Sequence, residues 1–204
     1  MQTGNLFLVS APSGAGKTSI VNAALAADSG TTVSVSHTTR PARGGEVDGD
    51  NYFFVDDDEF TRMIENDEFL EHANVFGKRY GTSKAEVERK RSEGKNVILE
   101  IDWQGAQQVR EKLPEATSIF ILPPSVEELA QRLNARGEDS AQSIEKRLSE
   151  AKLDMSQAKH FDFLVVNADF DSEVSDFLKI IQIAGTRTAV QIQRREIVEL
   201  IQAD

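Results

Sequence analysis

Residues 6–25 read LFLVSAPSGAGKTSIVNAAL: an apolar run, a bend of small residues with one lysine, then a helical pattern. No other stretch restricts the fold as tightly. LFLVS is apolar at nearly every position, which predicts a strand covered on both faces, the habit of parallel sheets. Ile20, Val21, Ala24 and Leu25 share one face of a 3.6-residue period, predicting a helix over 18–28. Between them, G-x-x-x-x-G-K-[ST] is matched at Gly16, Lys17 and Thr18, with Ala11 in the first glycine position and Gly14 as a second flexible point. Such a bend turns backbone N–H groups inward, and the helix behind it presents its positive end. Lys17 opposes that dipole unless an anion sits there. The segment predicts a cradle for nucleotide phosphates, with Lys17 reaching the β and γ phosphates and Thr18 turned to Mg²⁺.

The rest of the chain alternates in the same manner. Extended segments are expected at TTVSVSHTTR (31–40), NVILEID (96–102), TSIFILPP (117–124) and DFLVVN (162–167), with a small β excursion in GGEVDGDNYFFV (44–55). Asp56 with Glu59, Ser83 with Glu86 and Ser125 with Glu128 carry the spacing of helix capping boxes, and Gly94 stands where the second of these helices should stop. Two helices are expected after residue 167, the last over 189–202 with Val190, Ile197, Val198 and Ile201 as its apolar side. Strands separated by helices predict an α/β domain around a mostly parallel sheet. Residues 37–82 break the rhythm and read as an insert.

Composition bounds the partners. The 204 residues carry a net charge of −11, with 39% hydrophobic and 28% charged residues. That balance suits a globular domain and argues against nucleic-acid or anionic-membrane binding, which need positive surface. An acidic chain that handles anions must gather its arginines locally. No run approaches the ~20 apolar residues of a membrane helix, and MQTGNLFLV lacks the basic and long apolar regions of a secretory signal. The cytoplasm is the default expectation. There is no cysteine, so disulfides and thiolate metal sites are excluded, and His37, His72 and His160 have no metal-ligand spacing. Trp103, the single tryptophan, reads as packing or a loop anchor.

Two further features bear on phosphate chemistry. Glu100 and Asp102 end an apolar strand on one face, where phosphate-loop enzymes place a carboxylate toward Mg²⁺. Arg40 and Arg43 lie beside Ser36 and two threonines, and Arg132, Arg136 and Arg147 form a second group. The guanidinium fork suits bidentate phosphate contact, so two clusters suggest two phosphoryl groups to clamp.

These residues resemble the guanylate kinase family, P-loop nucleoside-monophosphate kinases. The likeness runs through APSGAGKT, SHTTR, GEVDGDNYFF, EFLEHANVFGKRYGT, EIDWQGAQQVR, IFILPPS, RLNARG, KRL and VVN, in order along nearly the whole chain. The resemblance implies transfer of the ATP γ-phosphoryl group to GMP with Mg²⁺. It implies a parallel-sheet P-loop core with helices on both faces (1–35, 83–125, 156–204), a small mixed α/β GMP-binding insert (36–82) and a helical lid (126–155). Ala11, Pro12, Ser13, Gly14, Ala15, Gly16, Lys17, Thr18 and Asn167 would hold ATP. Ser36, Arg40, Arg43, Tyr52 and Tyr80 would surround the GMP phosphate. Glu71, Thr82 and Glu100 would read the guanine, with Glu46 and Asp102 nearby. Lys17, Arg40, Arg136 and Arg147 would act on the transferring group, and Thr18, with Asp102 through water, would face Mg²⁺. The chain departs from the family pattern at Ala11, at Pro41 directly after Arg40, and at Glu100 where aspartate is usual.

Two other readings stay open on sequence grounds. A related kinase with a ribose-phosphate acceptor would have no use for Glu71, Thr82 and Glu100 as a base-reading set. A peptide-binding scaffold of the same fold would have lost its loop lysine, which is present here as Lys17. The residues do not separate GMP from dGMP, and nothing in them selects or excludes a homo-oligomer.

Overall fold

The computed structural model describes residues 3–75, 77–134 and 141–186, with side chains of the last segment described from residue 147. In chain order the elements are β1 (Leu6–Ser10), α1 (Lys17–Ala27), β2 (Thr31–Val33), β3 (His37–Thr38), β4 (Phe53–Phe54), α2 (Asp57–Glu65), β5 (Phe69–Val75) and β6 (Lys78–Ser83). They continue as α3 (Lys84–Ser92), β7 (Asn96–Glu100), α4 (Trp103–Lys112), β8 (Thr117–Leu122), α5 (Val126–Asn134), α6 (Ala141–Ser156), β9 (Phe163–Val166) and α7 (Phe170–Ala184).

β1 is fully buried and lies at the centre of a five-stranded sheet ordered β2-β7-β1-β8-β9, every pairing parallel. Its period-two alternation feeds two cores. Phe7 and Val9 join Ile20, Val21 and Ala24 of α1 and Phe177 and Ile181 of α7 on one face, while Leu6 and Leu8 join Val87 of α3 and Ala106 and Val109 of α4 on the other. Each large side chain so buried contributes about 1.5–3 kcal/mol. α1 after β1 and α4 after β7 cover opposite faces, so a crevice opens at the carboxyl ends of those two strands, where open α/β sheets bind their ligands.

A second sheet, β4-β3-β6-β5, is built from residues 37–83. β5 and β6 form an antiparallel hairpin with an irregularity between Phe69 and Glu71, and α2 covers the sheet through Phe60 and Met63 against Phe69. The expected single strand over 31–40 is two. Val33 ends β2 in the first sheet, Ser34 and Val35 are held by the Glu86 carboxylate, and His37 starts β3 in the second. Alternating β-branched residues report an extended chain but not a change of partner.

All three capping spacings start helices at the expected places. Asp56 accepts from Glu59 N–H at 2.7 Å, Ser83 from Glu86 N–H at 3.5 Å and Ser125 from Glu128 N–H at 3.0 Å. The acid of each box pairs with a base one turn on, Glu59 with Arg62, Glu86 with Lys90 and Glu128 with Arg132, and Glu86 also keeps its hold on Ser34 and Val35. α3 stops just before Gly94 as expected, and α7 is the first of the two expected C-terminal helices; the second, over 189–202, lies outside the described residues. Among the described residues no helix is long and apolar enough to cross a membrane.

Candidate active site

The bend between β1 and α1 opens the crevice. Gly14 and Gly16 hold φ of 90° and 94°, left-handed conformations that strain any residue with a β-carbon. Gly16 is also the N-cap of α1, so no side chain caps the helix, and no acid lies in its first turn. The first N–H groups of α1 therefore face the crevice as donors. The loop is moulded from behind. Asn167, at the end of β9, is buried and donates from Nδ2 to the Ala15 carbonyl at 2.7 Å, and a β-carbon on Gly16 would lie 2.3 Å from that same nitrogen. Asn167, expected among the residues that hold ATP, buttresses the loop.

Lys17 is the first residue of α1 and partly buried. Burial pulls its pKa below the usual lysine value, opposed by the carboxylates of Glu100, Asp102, Glu71 and Asp154. Thr18 donates from its hydroxyl to Glu100 at 3.0 Å, which places the strand-end carboxylate beside the loop hydroxyl. Asp102 is committed differently: it is the N-cap of α4, accepting from Gly105 N–H at 2.9 Å and from the Gln104 amide at 3.1 Å. From α6, Arg147 reaches back and donates to the Ser13 hydroxyl at 2.8 Å. Arg136 lies outside the described residues.

Opposite the loop, Glu71 on β5 faces Thr82 on β6 in register. Glu71 is 3% exposed, and its Oε1 accepts a 2.6 Å hydrogen bond from the Thr82 hydroxyl. Burial pushes its pKa up to about 7, the Thr82 hydrogen bond opposes this, and the charge of Asp102 adds to it. Arg40 is gripped by both carboxylate oxygens of Glu46, at 2.8 and 2.9 Å, with its guanidinium 5.2 Å from the centre of the Tyr52 ring. The Arg43 backbone N–H donates to the same carboxylate at 2.7 Å, while the residue itself is exposed. Arg40 first, then Arg43, holds the Glu46 carboxyl down at about 2.

A cleft of about 390 Å³ joins these features. Lining it are loop residues from Ala11 to Thr18 other than Ala15, with Ser36, Tyr52, Glu71, Tyr80, Glu100 and Asp102. Thr82, Arg40, Glu46 and Asn167 stand behind that lining as supports, and Arg43 lies outside it. Asp154 of α6 also lines the cleft, and no local signal in the sequence marks it, since EAKLDMS is an ordinary helical run. Burial and then Asp102 push its pKa up to about 6, while a hydrogen bond from Trp103 opposes them. A wider groove of about 810 Å³, between α4 and residues 157–162, contains none of the expected nucleotide-binding residues.

Among the described residues no cluster of three or more acidic or histidine side chains can enclose a bare cation. One hydroxyl and one carboxylate, Thr18 and Glu100, form a small hard-oxygen set. That set fits Mg²⁺, which keeps waters and arrives with nucleotide phosphates rather than filling an all-protein cage.

Residues 3–184 match the family profile described as guanylate kinase. A guanylate kinase of Escherichia coli strain K12 is 52% identical over 198 residues, covering 96% of either chain. One from Salmonella typhimurium is 53% identical over 196 residues, covering 95% of either chain. Among solved structures, the guanylate kinase of Anaplasma phagocytophilum superposes with a TM-score of 0.78 at 34% identity, covering 98% of this chain and 96% of that one.

Proposed function

The chain belongs to the guanylate kinase family and is a nucleoside-monophosphate kinase, and from that premise we propose how its cleft passes the γ-phosphoryl group of ATP to GMP. The observation that carries the reading is a single cleft with a phosphate loop on one wall and a buried carboxylate–hydroxyl pair on the other.

The loop amides and the start of α1 hold the β and γ phosphates, and Lys17 follows the charge of the γ group as it leaves. The acidic groups Glu100, Asp102, Glu71 and Asp154 around Lys17 oppose the pull of its burial. Glu71 reads the guanine. Thr82 holds the carboxylate through Oε1 at the cleft wall, where it would accept from the N1–H and exocyclic amine of the base. Adenine presents a lone pair at that ring position and would leave the carboxylate unpaired, a mismatch that can discriminate by roughly 10⁴ or more. Arg40, already aimed by Glu46, meets the GMP phosphate with Arg43, Ser36, Tyr52 and Tyr80. Residues 36–82 act as the acceptor-binding insert and residues 126–155 as the lid, from which Arg147 comes in beside Ser13. Mg²⁺ carried by ATP, held through Thr18 and Glu100 and through water by Asp102, would neutralise phosphate charge. No general base is assigned, because positioning and positive charge supply most of this chemistry.

ADP formation measured with GMP, dGMP, AMP, UMP and ribose phosphates as acceptors tests the reading. GMP should exceed AMP and the sugar phosphates by at least about a thousandfold in kcat/KM. Comparable rates with AMP would remove guanine recognition.

A further inference from the structure

Helix α4 touches three consecutive residues of β5. Lys112 donates from Nζ to the Leu70 carbonyl at 2.7 Å. Gln108 donates from its amide to the His72 carbonyl at 2.8 Å and accepts from the His72 N–H at 3.2 Å, so it pairs with β5 as a neighbouring strand would. Between those residues stands Glu71, and opposite it on the helix is Gly105. A β-carbon on Gly105 would lie 2.5 Å from Glu71 Oε2, 3.1 Å from its Cδ and 3.3 Å from Asp102 Oδ1. Residues 105, 108 and 112 recur at spacings of three and four, so one helical face makes all these contacts.

Gly105 is buried inside the helix and its φ is not positive. The backbone there gives no reason for glycine, which is a poorer helix former than alanine. Space does. The atom a methyl group would strike first is the end of a side chain, so the backbone can stay where it is and the carboxylate must yield. Glu71 Oε1 is bonded to Thr82, and the group cannot swing aside without giving up that bond.

We propose that Gly105 is a specificity-positioning residue: the missing side chain leaves the space in which the Glu71 carboxylate stands, and Gln108 and Lys112 set the separation of α4 and β5 that keeps it there. The proposal rests on the reading that Glu71 meets the guanine. It assigns part of the base selectivity to a residue of the core that touches no base atom.

GMP and IMP, which differ only in the exocyclic amine, are the probes. In Gly105→Ala, kcat/KM for GMP should fall at least about tenfold and for IMP about threefold or less, while KM for ATP moves less than about twofold. In a Glu71→Asp background, where the carboxylate is retracted by one methylene, adding Gly105→Ala should cost less than about threefold. A folded Gly105→Ala protein, judged by its melting curve, that keeps the native GMP-to-IMP ratio overturns the proposal. So does a full loss in the Glu71→Asp background, which would put the clash elsewhere. If Gly105→Ala does not fold, Gln108→Leu stands in, and an unchanged ratio there is equally contrary. Glu71→Gln separates the two levels. A collapsed ratio in Glu71→Gln with an intact one in Gly105→Ala removes this inference alone, whereas an intact ratio in Glu71→Gln removes the base reading and the inference with it.

Discussion

Glu71 is a carboxylate in a place that disfavours charge. Its ordinary pKa of 4.5 stands for the unfolded chain, and burial raises it to about 7 in the fold. Below pH 4.5 the group is protonated in both states and costs nothing. Between 4.5 and 7 the unfolded chain releases a proton that the folded one retains, so stability falls as pH rises. Above 7 the full cost remains, roughly 3 kcal/mol. Nucleotide-free Glu71→Gln should therefore melt several degrees above the native protein at pH 8, with the gap closing toward pH 4.5. An equal or lower melting temperature at pH 8 would contradict the strain. The sequence names Glu71 only through the family likeness. Its burial depends on β5 facing Thr82 of β6 and Gly105 of α4, contacts that no local pattern encodes. The grip of Glu46 on Arg40 is hidden in the same way, since the two residues are six apart in an irregular loop.

Elements were far more legible than contacts. The apolar run of β1, the glycine bend and the apolar face of α1 are each a property of residues adjacent in the chain, and each is present as expected. Residues 31–40 misled because strand propensity is blind to which sheet receives the strand. Asn167 is a case where the position was expected at the nucleotide and the contact was not: its amide supports the loop carbonyl of Ala15. Replacing it with alanine leaves that carbonyl without its buried partner, a cost of about 1–3 kcal/mol. Asn167→Ala should lower the melting temperature and raise KM for ATP and GTP as phosphate donors by similar factors. A loss confined to ATP would put this side chain on the base instead.

At the scale of the whole molecule, an acidic chain concentrates cationic groups around one crevice from three separate regions: Lys17 from the core, Arg40 from residues 36–82 and Arg147 from α6. α5 and α6 share their own small core through Leu129, Leu133 and Ala151, so they form an arm with internal cohesion. That arm packs against the loop, as Leu133 lies close behind Gly14 and Arg147 meets Ser13. On the proposed reading, Arg147→Ala removes a cation from beside the loop at Ser13 and should leave this packing intact. The expected result is a fall in kcat of about a hundredfold or more with little change in melting temperature. A near-native kcat would show that the arm contributes no charge to the reaction.

Trp103 sits at the joint of this arrangement. It opens α4, directly after the Asp102 cap, and shares a hydrogen bond with Asp154 on α6. It is also the chain's single indole. The protein thus carries an intrinsic fluorophore at the seam between its scaffold and its arm, and a shift in its emission on adding nucleotide would report movement there without any attached dye.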